Sequence, residues 1–294
     1  MLSLANKFGA TWQQWREHLS CNNAGCAVSG RMWKRVSRCA GSLRVHGSRY
    51  CFPGCFERAL QWRLAQLLSA PPATARRPHR LPLGLLMLSR GDIDNNQLRA
   101  ALAAQRDSGR GRIGEWMQQM KFTEEAQVTA ALAAQWACPA VLVIPATPPD
   151  CNLPLPLLQR FHMAVVSYVA TTRVMHVAFT EGIDYSVLLS IEQALECRAE
   201  PCVAGPSALA SILARLEEEQ RRSDQIFAQA RTPDEMTRIT SSYATMLSAK
   251  DVRLARCAEF IWVRVEAAKD SANLLFPADE CIKTDQTSFA ALVV

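Results

Sequence analysis

The hexapeptide Ala-Ala-Leu-Ala-Ala-Gln occurs twice, at 100–105 and 130–135, and the 30-residue period it sets extends backward without a gap. Leu83-Gly84 aligns with Ile113-Gly114, Leu86-Met87 with Trp116-Met117, Gln97-Leu98 with Gln127-Val128, and Leu102 with Leu132. A self-match of this length marks a duplicated supersecondary unit. Each copy reads as two helices. In the first, a short apolar helix over 84–90 ends at a turn on Gly91; Asp94 then caps a second helix, with Gln97 at the capping-box position. In the second, Thr123 is the expected cap, with Glu124 and Glu125 in the favourable first turn. Alanine-rich helices with so thin an apolar stripe (Leu98, Ala101, Leu102) bury little singly, so the two copies are expected to pack together as one tandem helical repeat over 81–145.

Around this repeat the chain is ordinary globular protein, with 49% apolar residues and no run approaching the roughly 18–20 that a membrane helix needs. Trp12, Trp15, Arg16, Glu17 and His18 stand where a signal peptide would be apolar, so a cytoplasmic protein without membrane insertion is expected. The net charge of +6 is unevenly spread: residues 1–80 hold thirteen Lys or Arg against Glu17 and Glu57, which is +11, and leave −5 for the remainder. Such a division marks residues 1–80 as a distinct basic part with a preference for anionic partners.

Five of the eleven cysteines also fall there. Cys21-Asn-Asn-Ala-Gly-Cys26 and Cys51-Phe-Pro-Gly-Cys55 form two short-spaced pairs, and four thiolates can close a tetrahedral zinc site. Cys39 and His46 lie between the pairs as substitute ligands. The helical spacing that begins at Phe56 puts the second pair at a helix start, where the dipole favours thiolate. In outline this resembles a zinc-ribbon or treble-clef-like module, with structural zinc compensating for few large aliphatic residues. Reduced cysteines in a basic leader are the alternative. Trp33, Arg35, Arg38, Arg44, Arg49 and Tyr50 interleave aromatic and cationic side chains, the basis for a nucleic-acid reading of residues 1–80.

The expected organisation is therefore α/β and multi-domain: a Cys-rich module over 1–69, a proline-bearing linker over 70–80, the repeat over 81–145, an α/β part over 146–220 and a further small α/β domain over 221–294. In 146–220 the pattern gives a short helix over 156–161, strands over 164–170 and 174–179, a helix over 184–197, a strand over 201–204 and a helix over 206–218. The last part gives a strand near 225–228, a helix capped by Thr232 with Pro233 in its first turn, and a hairpin over 252–265.

The opening Arg112-Ile113-Gly114, the Leu-Gly of the first copy and the closing Gln of each copy resemble the N-terminal regulatory domain of type II secretion and type IV pilus assembly ATPases, a family with members that bind cyclic di-GMP. The resemblance covers about 80–219. It implies a secretion or pilus protein as partner, and it places a nucleotide on Leu83, Gly84, Gly91, Arg112 and Gly114. Two positions depart from the family pattern: Pro82 replaces the first Arg, and Lys121 replaces the second turn glycine. The motor that follows this domain in the family binds ATP through a Gly-Lys loop, and the chain has no Gly-Lys dipeptide. The reading is a non-enzymatic adaptor or regulator, with a cyclic-di-GMP sensor and a zinc-dependent nucleic-acid-binding protein as alternatives.

Overall fold

The computed structural model describes residues 21–26, 42–70, 80–142, 153–180, 182–219 and 224–278; Cys39, Trp33, Arg35 and Arg38 lie outside them. In chain order the elements are β1 (Ser42–Val45), β2 (Ser48–Cys51), α1 (Gly54–Ser69), α2 (Leu83–Arg90), α3 (Asn95–Ser108), α4 (Ile113–Gln119), α5 (Glu125–Trp136), β3 (Ala140–Val141), α6 (Leu155–Arg160), β4 (Met163–Val169), β5 (Val174–Phe179), α7 (Tyr185–Leu195), β6 (Arg198–Ala204), α8 (Pro206–Glu219), β7 (Asp224–Ile226), α9 (Pro233–Met246), β8 (Asp251–Cys257), β9 (Phe260–Glu266) and β10 (Ser271–Pro277). The fold is mixed α/β, and no helix of the described residues is long and apolar enough to cross a membrane. Two compact units divide it: Met1–Ala73 with Gln193–Leu195 and Ser223–Val294, and Thr74–Glu192 with Glu196–Arg222.

The first unit corrects the expected division between 1–69 and 221–294. Its six-stranded sheet has the order β2-β1-β8-β9-β10-β7, so strands from both ends of the chain share one ladder. β1 runs parallel to β8, with Arg44 opposite Asp251 and Val45 opposite Val252. One core follows from that pairing: Phe56, Leu60 and Leu64, spaced at i, i+4 and i+8 on α1, are fully buried with Val252, Leu254, Ile261, Val263 and Leu274. Arg256 fastens the end of α1 by donating to the carbonyls of Leu67 (2.9 Å), Leu68 (3.2 Å) and Ala70. Among the described residues the two segments share this one core.

α9 starts as expected, with Thr232 Oγ1 accepting from Glu235 N and Pro233 in its first turn. The hairpin is β8–β9. β10, which the sequence reading leaves out, completes it in antiparallel register with β9 (Leu274 opposite Val263). Its buried Asn273 is satisfied on both sides, accepting from Trp262 Nε1 and donating to Asp224 Oδ1, each at 3.0 Å.

The second unit pairs a four-stranded sheet, β3-β6-β5-β4, with the four helices α2 to α5. β5 and β6 are parallel and joined through α7, which Asp184 caps by accepting from Ser186 N at 2.9 Å. β4 lies antiparallel to β5. α8 covers the sheet with Leu209 and Ile212 against Ala164, Val166 and Ala178.

Candidate functional site

The first candidate is built where the segment 21–26 crosses the hairpin and the start of α1. Asn22 N donates to Arg49 O (2.8 Å), tying the segment to β2, and Cys26 N closes a turn on Asn23 O (3.0 Å). Cys51 is the last residue of β2 and Cys55 lies in the first turn of α1. The sulfurs of Cys21, Cys26 and Cys51 all fall within 4.8 Å of one another, with Cys26 Sγ 3.9 Å from Cys51 Sγ. Cys55 neighbours this group, its thiol influenced by Cys26 and Cys21 and accepting from Asn23 Nδ2. Sulfurs about 2.3 Å from a central ion in a tetrahedron would stand about 3.8 Å apart, so the group Cys21, Cys26 and Cys51 could hold a metal ion.

Two donors point at sulfur rather than oxygen: Cys51 N at 3.4 Å from Cys21 Sγ, and Asn23 Nδ2 at 3.3 Å from Cys55 Sγ. Such N–H···S bonds favour thiolate. Burial, and then the neighbouring Cys21 and Cys26, push the Cys51 thiol up to about 12, and burial raises Cys55 as well. Cys51 and Cys55 therefore hold their protons more tightly than a free thiol until a cation replaces them.

His46 is not brought to this cluster. It occupies the β1–β2 turn, whereas Cys51 ends the hairpin opposite Ser42, roughly 13 Å away at the rise of a strand. Its Nε2 accepts from Leu254 N (3.1 Å), and burial followed by Arg63 lowers its pKa, so the ring stays neutral and its lone pair is used. Tyr50 packs against the apolar core, and Arg44 and Arg49 face each other across the hairpin.

The second candidate is the helical unit. α2 and α4 start 30 residues apart, as do α3 and α5, and residues 81–90 and 111–120 repeat one burial pattern position by position. Met87 and Met117 are fully buried in their common core with Leu98, Val128, Ala101 and Ala131. The copies close on each other reciprocally. Gln105 Nε2 donates to Gly111 O (2.9 Å) at the entry to α4, and Gln135 Nε2 donates to Leu81 O (2.6 Å) at the entry to α2. The capping of α5 departs from expectation by one residue: Glu124 is the cap, its N–H donating to Gln127 Oε1 (2.9 Å), at the position that matches Asp94 and Gln97. Thr123 is buried instead and donates to the same oxygen (2.9 Å).

Of the residues implied as nucleotide ligands, Gly84 and Gly114 are buried. A Cβ on Gly84 would stand 2.6 Å from Leu98 Cδ1, and one on Gly114 3.0 Å from Val128 Cγ1 and 3.4 Å from Leu83 Cδ2. These glycines let helices approach each other. Leu83, Gly114 and Arg112 are brought together, with Arg112 at the exposed start of α4, where its N–H donates to Glu115 Oε2 (3.0 Å). Gly91 stands at the far end of α2 in the left-handed region (φ 78°), as does its counterpart Lys121 (φ 58°).

Sequence reasoning missed the contacts of Glu125, Trp136 and Arg80. Glu125 accepts from Ser207 N (3.1 Å) and Ser207 Oγ (2.5 Å), so one carboxylate joins α5 to the start of α8. A Cβ on Gly205 would collide with that carboxylate. The Arg80 guanidinium stacks 3.0 Å above the Trp136 ring. Only the exact 30-residue register would have hinted at Glu125, which aligns with Asn95.

No family model matches the chain, and no curated protein matches it. Among solved structures it is similar to the structure of MshE with cdg, at 25% identity and a TM-score of 0.39, over 46% of this chain and 99% of that one. It is also similar to two crystal forms of the N-terminal domain of XpsE, at 17% and 20% identity and TM-scores of 0.35 and 0.28. These span 45% and 44% of this chain and 92% and 90% of those. A little under half of the chain is thus similar to nearly the whole of those domains, and TM-scores this low support no statement about ligands or partners.

Proposed function

We propose that the chain is a non-enzymatic docking protein, in which a zinc-stapled module accompanies a duplicated helical module that binds a protein of a secretion or pilus system. One observation carries this reading. Copy 1 exposes Leu81 and Leu85 (51% and 47%), while the same positions in copy 2 are Gly111 and Glu115. Copy 2 forms its helix without those leucines, so folding does not require them, and an apolar pair held in water favours a partner's surface. Zinc fits the four sulfurs by softness and geometry.

Two outcomes follow. The double variant Leu81→Glu/Leu85→Glu should lose at least tenfold in affinity for a purified secretion or pilus ATPase in interferometry, with its melting curve unchanged; undiminished binding would remove the docking reading. The purified full chain should carry about one zinc by elemental analysis, and Cys51→Ser or Cys55→Ser should carry almost none.

A second reading, a cyclic-di-GMP sensor, is favoured by the meeting of Leu83, Gly114 and Arg112. Calorimetry with cyclic di-GMP on the full chain and on Arg112→Ala separates it from simple docking. Nucleic-acid binding through residues 1–80 has less support, because Tyr50 is spent on the core rather than offered to a base.

A further inference from the structure

In the first unit a groove of about 680 Å³ runs between α1 and α9, with Phe52 and Gly54, from the loop between Cys51 and Cys55, at one end. The helices are antiparallel there. Gln61 donates to Asp234, and one turn back along α1 brings Arg58 while one turn forward along α9 brings Arg238. Arg58 and Arg238 therefore line the groove from its two walls. Arg58 Nε donates to Gly54 O (3.4 Å), and neither Arg58 nor Arg238 takes part in the ion pairs of the described residues.

Two residues on the α9 wall carry unpartnered hydroxyls. Thr237 and Ser241 are each 8% exposed, and Thr237 Oγ1 and Ser241 Oγ have no hydrogen-bond partner among the described residues. Their neighbours on the same wall are satisfied: Ser242 Oγ donates to Arg238 O (3.0 Å) and Thr245 Oγ1 to Ser241 O (2.8 Å). A buried hydroxyl without a partner costs free energy unless something supplies an acceptor. Two cations and two residues with idle hydroxyls thus line one groove, and an acceptor-rich anion is the group that would serve them together. Glu57 also lines the groove and Asp234 is engaged by Gln61, so the acids limit the charge the groove tolerates to about that of one oxyanion.

The geometry points to an oxyanion-binding subsite formed by Arg58, Arg238, Thr237 and Ser241, which takes the phosphate or carboxylate group of a small molecule. It is independent of the docking surface, which lies in the other unit. The probes are inorganic phosphate and, in a separate arm, acetate, each titrated to 10 mM into the full chain at constant ionic strength and followed by calorimetry and melting temperature. Saturable binding of either is expected, and whichever saturates assigns the source of the group. Arg58→Gln and Arg238→Gln should each weaken it about tenfold or more, since each removes a charge-assisted bond. Thr237→Val, which keeps the shape of the wall, should weaken it while raising the melting temperature of the free protein. Arg63→Gln, on α1 but outside the groove, is the control. Absence of saturation with both anions, or equal binding by the Arg58→Gln/Arg238→Gln protein, overturns the assignment.

Discussion

The two copies of the helical unit share a backbone and differ in what their side chains are free to do. Copy 1 turns from α2 to α3 through Gly91, which takes a positive φ at no steric cost; copy 2 makes the same turn through Lys121, forced to the same region. Copy 1 begins α3 with Asn95, whereas copy 2 begins α5 with Glu125, which reaches Ser207. Copy 1 leaves Leu81 and Leu85 in water, and copy 2 places Gly111 and Glu115 there. The shared features (buried glycine, methionine, closing glutamine) belong to the fold, and the divergent ones mark what each copy contacts. Copy 2 serves the interior of its unit, and copy 1 keeps its surface available.

The largest effect tests the shared part. Gly84→Val or Gly114→Val should cost about 3 kcal/mol, by overpacking against Leu98 or Val128, in hydrogen exchange of α2 to α5. A cost at one glycine and none at the other would break the equivalence of the copies; a modest excess at Gly114 is expected, because Val128, stiffer at χ1, yields less than Leu98. A middling effect probes the asymmetry. Glu125→Ala should cost about 1.5 kcal/mol in the same measurement, through the uncapped start of α8, while Asn95→Ala stays within about 0.5 kcal/mol of neutral. The smallest change runs the other way. Lys121→Gly should stabilise by about 1 kcal/mol in urea unfolding and Gly91→Ala destabilise by about as much, because only the first relieves a strained φ.

The sequence discloses the elements whose cause is local. The period placed all four helices, and it contained the answer to its own error: carrying Asp94 forward by 30 gives Glu124, whereas a preference for threonine at caps gives Thr123. The cysteine pairs could be read because thiol spacing is a local pattern, and the same pattern could not exclude His46, whose lone pair is used by a strand 208 residues away. The union of 42–69 with 224–278 was illegible for that reason. Strand periodicity says which face is apolar and nothing about which strand lies alongside. β10 was hidden by Asn273 and Pro277, residues that disfavour strands until Trp262 and Asp224 supply partners for the amide.

The parallel pairing of β1 with β8 sets a schedule for synthesis. Phe56, Leu60 and Leu64 leave the ribosome long before the strands that cover them, with roughly two hundred residues, including the whole second unit, translated in between. At about 5–20 residues per second that is a wait of roughly 10–40 s with an uncovered apolar helix face. The second unit, continuous in the chain apart from three residues, can mature during the interval. Cys21, Cys26, Cys51 and Cys55, free thiols beside α1, have all been made by then, so a captured ion would hold the nascent hairpin and helix together until the rest arrives.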